Sequence, residues 1–261
     1  MKGEAPVEQS ETYTGRPKAA GRRRTVVIAL DRGILALTRR WLLAFNLFVF
    51  VYVGLPFLAP LLMHAGAEGP ARIIYTVYSG MCHQLGYRSW YLFGERAAYP
   101  RDVFEQYSGI DANRIESNGY PAGFWDSRAF LGNQRMGYKV AFCQRDIAIY
   151  GAILVGGLIY AVPFVRRRVK PLHWLLWILI GIVPIGLDGF SQLFGQYPYN
   201  TLSLLSLFPF RESMPLLRTL TGSLFGLANV WMAYPYVEES MAEIRGPLQE
   251  KLARVGAEVH S

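Results

Sequence analysis

Apolar positions run through this chain in four long stretches, residues 41–62, 147–165, 172–187 and 216–236, and polar positions gather between them. At a rise of about 1.5 Å per residue, about 20 residues cross the hydrocarbon core of a bilayer. The pattern predicts an all-α membrane protein with four transmembrane helices. Residues 1–24 are polar, rich in Gly, Pro, Glu and Arg, and read as a disordered basic tail. The membrane domain then covers 25–236. Within it, 25–38 fits either a short amphipathic helix on the inner surface or the start of a long first helix. Pro56 and Pro60 predict a kink near the outer end of the first span. Residues 237–261 are charged and periodic, and read as a tail that continues the fourth helix into the cytoplasm.

Between the first two spans lies a connection over 63–142. Its segment 71–81 is moderately apolar but too short to cross, which places it at the interface. From Trp90 onward, Tyr, Phe and Trp alternate with Gly, Asn and charged residues, the composition of an irregular cap resting near headgroup level. One short helix is expected near 101–107. The segment 193–214 is apolar but broken by Pro198, Asn200 and Pro209, and reads as a re-entrant or interfacial piece. No internal repeat is visible, so the repeat architecture of many secondary transporters finds no support.

Charge orients the helices. Net charge is +8, and residues 1–40 hold nine Lys or Arg, with Arg39 and Arg40 abutting the first span. Arg166, Arg167, Arg168 and Lys170 fill the turn between the second and third spans, whereas the large loop is nearly neutral. Basic residues beside span ends stay in the cytoplasm. The expected topology has both termini cytoplasmic and the 63–142 loop outside, in a multi-pass protein of the plasma membrane. The excess charge sits at span edges, which argues for the lipid bilayer as partner and against nucleic acid.

The chemistry-bearing residues fall near the outer edge. Cys82 and Cys143 are the two cysteines of the chain. Outside the cytoplasm a Cys82–Cys143 disulfide is the simplest expectation, worth about 4 kcal/mol for a loop of this length. The competing reading is a metal site of Cys82, His83, Cys143 and Asp188, with zinc or iron as the ion, Asp146 as an alternative carboxylate and His64 as a further imidazole, whereas His173 is inner-facing and His260 lies in the tail; a free, redox-active thiol pair is the third reading. Arg145 and Asp146 open the second span, Asp188 ends the third and Arg218 begins the fourth. An Asp188–Arg218 ion pair would lower the cost of both charges. Gln192 lies one turn beyond Asp188 on the same face. Gly222 and Gly226 give the fourth span a small-residue face for intramolecular packing, and Asn46 and Asn229 are expected to hydrogen-bond to neighbouring helices.

Taken together these elements resemble a bacterial family of small predicted integral membrane proteins of unknown function. The resemblance rests on Cys82, His83, Gln84, Arg88 and Ser89; on Cys143 and Arg145; on Asp188, Gly189 and Gln192; and on Arg218, Thr221 and Gly222, spanning roughly 75–230. The chain departs from that pattern in having Asp146 where a further cysteine often stands, and in a longer loop before Cys143. The resemblance implies a membrane location and the importance of the cluster, and no particular activity.

Three functions are compatible with these residues. The first is a structural or accessory membrane component, a subunit of a larger membrane complex. The second is a membrane-embedded metal-site protein or enzyme using Cys82, His83, Cys143 and Asp188. The third is a small transporter with Asp188 and Arg218 on a polar path. No P-loop, GxSxG, HExxH or paired CxxC motif is present to fix a reaction, so the sequence leaves open whether the protein is an enzyme.

Overall fold

The computed structural model describes residues 21–195, 202, 204 and 210–256. The expected disorder of residues 1–20 and most of the expected re-entrant segment 193–214 lie outside the described residues, as does His260. The chain divides into two compact units, Met1–Arg40 with Met241–Ser261, and Trp41–Ser240.

The first unit is a pairing of two helical segments. Helix α1 (Arg22–His64) is interrupted at Arg40, where φ is −119° and ψ is 18°. The stretch preceding that break packs against the end of α9 (Pro215–Arg254). Leu35 and Leu252 are buried together, with Ile28 and Leu248 against them. Arg245 donates to the Thr38 carbonyl at 2.9 Å, and Lys251 pairs with Asp31 at 2.7 Å. The tail is therefore a packed element, and helix begins at Arg22, inside the stretch expected to be disordered. The helix runs through Pro56 and Pro60, and its interruption lies instead at Arg40, where the units divide.

The second unit holds the remaining elements. They are α2 (Glu68–Ser79), β1 (Ser89–Leu92), α3 (Arg101–Ser108), α4 (Ala122–Ala129), β2 (Gly132–Asn133), β3 (Gly137–Cys143), α5 (Gln144–Tyr160), α6 (Pro163–Arg168), α7 (Trp174–Trp177), a π-helical turn Ile178–Ile182, and α8 (Val183–Phe194). Among the described residues, two helices are long and apolar enough to cross a membrane, Arg24–His64 and Trp174–Phe194. The stretches 147–165 and 216–236 are helical as well, within α5–α6 and α9. Pro163 lacks the N–H that would continue α5, and α6 restarts with that proline in its first turn. Pro184 likewise has no N–H to give and crowds the carbonyl four residues back. The turn just before it widens to the π form.

Close helix contacts come from small residues. A Cβ on Gly226 would lie 2.4 Å from the Ile149 carbonyl, and one on Gly222 would lie 2.9 Å from the Arg145 carbonyl. The Gly222/Gly226 face of α9 is thus spent on α5 within the chain, as expected. Asn229 accepts from the Trp177 indole at 3.4 Å, also as expected. Asn46 does not behave as expected: its buried Oδ1, set against Gly157, has no hydrogen-bond donor among the described residues.

The cap departs most from the all-α expectation. It contains a three-stranded antiparallel sheet ordered β1-β3-β2, pairing Ser89 with Cys143, Tyr91 with Lys139 and Gly132 with Tyr138. Gly137 adopts φ +72° and lies so near β1 that a Cβ there would be 2.0 Å from the Leu92 carbonyl. The helix expected near 101–107 is α3, closed by Gly109 in the left-handed region at φ 75°. The interfacial segment expected at 71–81 falls mostly in α2, which buries Ala71, Tyr75 and Tyr78 on one face. Leu85, Tyr87, Tyr91, Tyr99, Phe104 and Met136 form the cap's own core. A second core joins Ala59 and Met63 of α1 to Tyr75 and Tyr78 of α2, Cys82 and Phe142.

Candidate functional site

Helix α9 approaches the first turn of α5 at Gly222, and that approach sets Arg218 beside Gln144. Arg218 is buried; its guanidinium donates to Gln144 Oε1 at 3.3 Å and to Gln192 Oε1 at 3.1 Å. Its ionic partner is Glu212, whose carboxylate Arg218 contacts directly. The same carboxylate takes a two-point bond from Arg88, with Nε to Oε1 at 2.8 Å and Nη2 to Oε2 at 3.0 Å. Arg101 adds a third contact at 3.4 Å. Asp188, also buried, pairs with Arg145 and with Arg211, the latter at 3.2 Å. Gln192 donates to the Asp188 backbone carbonyl at 2.7 Å and accepts from Arg218, so it ties Arg218 to the backbone of α8. Five arginines thus surround two carboxylates. A cleft of about 360 Å³ opens beside them, lined in part by Arg101, Asp102, Asn113, Phe210 and Glu212.

This arrangement corrects one expectation. The Asp188–Arg218 pair does not form, because Glu212 precedes Arg218 by six residues and reaches it first, while Arg145 faces Asp188. Several charges gather at these helix ends, and their shared position does not select among them. Glu212 escaped notice because it sits at the end of a segment read as apolar, although it is the carboxylate nearest in sequence to Arg218.

Cys82, Cys143 and Asp146 form a second group, with one donor atom from each within 4.8 Å of the others. Cys143 ends β3 and caps α5, its Sγ accepting from the Asp146 amide at 3.5 Å. The thiol also lies 3.1 Å from Asp146 Oδ2. Cys82 Sγ accepts from the amides of Gln84 at 3.5 Å and Cys143 at 3.3 Å. Both cysteines are free, so the expected disulfide is not present; their sulfurs face amides and a carboxylate. Hydrogen bonding with Cys143 raises the Cys82 thiol far above its usual range, with burial second and the charges of Cys143 and Asp146 adding to it.

Two of the expected metal ligands stand apart. His83 is exposed and meets the edge of Phe124 with ring centroids 6.0 Å apart, and Asp188 is occupied by its arginines. His64 stacks on Phe93 at 4.1 Å, and His173 caps α7, its Nδ1 accepting from Leu175 at 3.3 Å. The donor set in the structure is therefore Cys82, Cys143 and Asp146.

Lys139, unmarked in the sequence reading, lies beneath the Cys82–Gln84 turn. Its side chain is fully buried, and Nζ donates to the carbonyls of Gln84 and Arg128, each at 2.7 Å. Burial pushes its ammonium down to about 7. Gln84 has φ +52°, a left-handed conformation uncommon outside glycine. The turn is held by the Lys139 bond and by Gln84 Nε2 donating to the Tyr75 carbonyl at 2.9 Å.

Two comparisons bear on this geometry. Residues 134–232 match the model of a family described as "Predicted membrane protein (DUF2085)". That span contains Cys143, Arg145, Asp146, Asp188, Gln192, Glu212 and Arg218, and begins after Cys82, His83 and Arg88. The chain is also 26% identical over 196 residues to an uncharacterized protein of Methanocaldococcus jannaschii, covering 72% of this chain and 86% of that protein. No solved structure matches. A family of predicted membrane proteins of unknown function fits this part of the chain, and with the two helices long and apolar enough to cross a membrane it supports association with the lipid bilayer. The relative is archaeal, so these comparisons do not carry the bacterial assignment that the resemblance implied. Neither comparison supports an enzyme or a transporter.

Proposed function

We propose that this protein is a four-span component of the plasma membrane with a structural or accessory role, its extramembrane cap clasped to the helix ends by the arginine–carboxylate cluster. One observation carries the reading. Large apolar side chains face outward on every long helix of the second unit: Leu47 and Phe48 on α1, Val155 and Leu158 on α5, Leu179 in the π turn, Leu187 and Phe190 on α8, and Leu220 and Trp231 on α9. Leu187 is 69% exposed and Phe48 63% exposed, a surface suited to lipid and not to water. The arginine triplet Arg166–Arg168 supports a cytoplasmic turn, and with it cytoplasmic termini and an external cap. The cluster joins Arg88 and Arg101 of the cap through Glu212 to Arg218 of α9, an arrangement that fixes a cap in place and needs no turnover. A subunit role in a larger complex is read out by co-purification in mild detergent.

The topology is tested with single added thiols. Ser117→Cys in the cap and Arg167→Cys in the basic turn are labelled on intact cells with a membrane-impermeant maleimide, against the wild-type background. Labelling of residue 117 in intact cells and of residue 167 after lysis is expected. Equal labelling of both positions in intact cells refutes the four-span arrangement.

A further inference from the structure

We propose that Cys82, Cys143 and Asp146 form a binding site for a thiophilic divalent cation of the zinc class, an assignment that goes beyond the structural role and does not depend on which side of the membrane the cap lies. Three observations converge on it. First, the donors are already gathered. A tetrahedral zinc ion with ordinary bond lengths requires sulfurs about 3.8 Å apart and each sulfur about 3.5 Å from the carboxylate oxygen. The donor atoms here all lie within 4.8 Å of one another, and Cys143 Sγ is 3.1 Å from Asp146 Oδ2. Closure needs adjustments of an ångström or less.

Second, backbone amides are aimed at the sulfurs. Gln84 and Cys143 donate to Cys82 Sγ at 3.5 and 3.3 Å, and Asp146 donates to Cys143 Sγ at 3.5 Å. These amides fix the direction of both sulfurs, and the cation itself displaces their protons to form the thiolates that bind it. Cys143 is held besides by its place as the cap of α5.

Third, the turn that delivers Cys82 is built and strained. Gln84 is held at φ +52° by its side-chain bond to the Tyr75 carbonyl and by the Lys139 bond to its own carbonyl. Left-handed backbone at a non-glycine residue is strained and persists where surrounding contacts enforce it. Here those contacts point the Gln84 amide at Cys82.

Two sulfurs select a soft cation over Mg²⁺ or Ca²⁺. The fourth position is left for water or an exogenous donor. Binding forms two metal–sulfur bonds and one metal–oxygen bond and releases the protons of both thiols; no electron is transferred.

The probe is Co²⁺ added to reduced, full-length protein in detergent. A saturable sulfur-to-cobalt absorption at one equivalent, displaced by Zn²⁺, is expected. Cys82→Ser and Cys143→Ser abolish it, Asp146→Asn weakens binding by about tenfold or more, and His83→Ala leaves it unchanged. Because a cysteine variant can fail through misfolding, a second measurement uses the unaltered chain: Zn²⁺, and not Mg²⁺, should protect both thiols from alkylation. Absence of saturable absorption in the reduced protein, absorption that survives both serine variants, or alkylation indifferent to Zn²⁺ overturns the proposal. So does recovery of the protein with Cys82 and Cys143 joined as a disulfide.

Discussion

Lys139→Met separates the cost of a buried amine from the worth of its hydrogen bonds. Lys139 is fully buried, and burial moves its ammonium from 10.5 to about 7. In the unfolded chain the amine takes up its proton below about 10.4, and in the fold only below about 7. Between those values the unfolded chain binds more protons, so this residue makes stability rise with pH across that window and contributes no slope below it. The whole effect corresponds to about 5 kcal/mol, of which about 3 falls between pH 7 and pH 9.5. Methionine removes the titration but leaves the Gln84 and Arg128 carbonyls without their donor, at a cost of about 1–3 kcal/mol each. At pH 7 the two effects nearly cancel, and Lys139→Met should be close to wild type in stability. At pH 9.5 the variant should be the less stable by about 3 kcal/mol. Denaturant unfolding in micelles, followed by tryptophan fluorescence at both pH values, gives the difference curve. The unfolded-state ionisation of Cys82 is common to both chains and cancels to first order. Parallel stability–pH curves for wild type and variant would refute the assignment of a neutral buried amine.

Glu212→Gln removes the carboxylate shared by Arg88, Arg101 and Arg218 and should cost about 3–5 kcal/mol by leaving buried guanidinium charge uncompensated. The check is the unfolding midpoint together with proteolysis of the cap; wild-type resistance in both would mean that the cluster does not hold the cap. Gly226→Ala sets a methyl 2.4 Å from the Ile149 carbonyl and should destabilise by about 1–3 kcal/mol through separation of α5 from α9. An unchanged thermal midpoint in micelles would show that this contact is looser than described.

The helices were legible because length and apolar run identify them without knowledge of their neighbours. Their interruptions were not: the kink expected at Pro56 and Pro60 is absent, the break falls at Arg40, and the interruptions at Pro163 and Pro184 were not expected. The cap was not legible in the same way. Its strand β3 reads Gly-Tyr-Lys-Val-Ala-Phe-Cys, and four successive residues, Lys139 to Phe142, are buried. A strand covered on both faces loses the alternation by which a strand is recognised. The lysine in its midst carried no signal in the sequence and is a tie to two carbonyls.

The same division runs through the candidate site. Cys143, Arg145 and Asp146 share one helical turn, so their proximity is a matter of spacing and could be read directly. Cys82 joins them through pairing of β1 with β3, which sets Ser89 opposite Cys143. That register is non-local, and a one-residue slip would turn every side chain of the strand to the other face. Adjacency to Cys82 in sequence made His83 look like a ligand. Yet in the turn from Cys82 to Gln84 successive side chains diverge, and the imidazole leaves toward Phe124 while the thiol turns inward. The charges follow the same logic. Arg145, Asp188, Gln192 and Arg218 were expected at one membrane level, and the structure joins them in one layer of polar contacts. Which partner each takes depends on chain reach: Glu212 is six residues from Arg218, and no other carboxylate of the layer is so near in sequence. Similar placement at helix ends brings these charges into one polar cluster, and local connectivity decides its pairing.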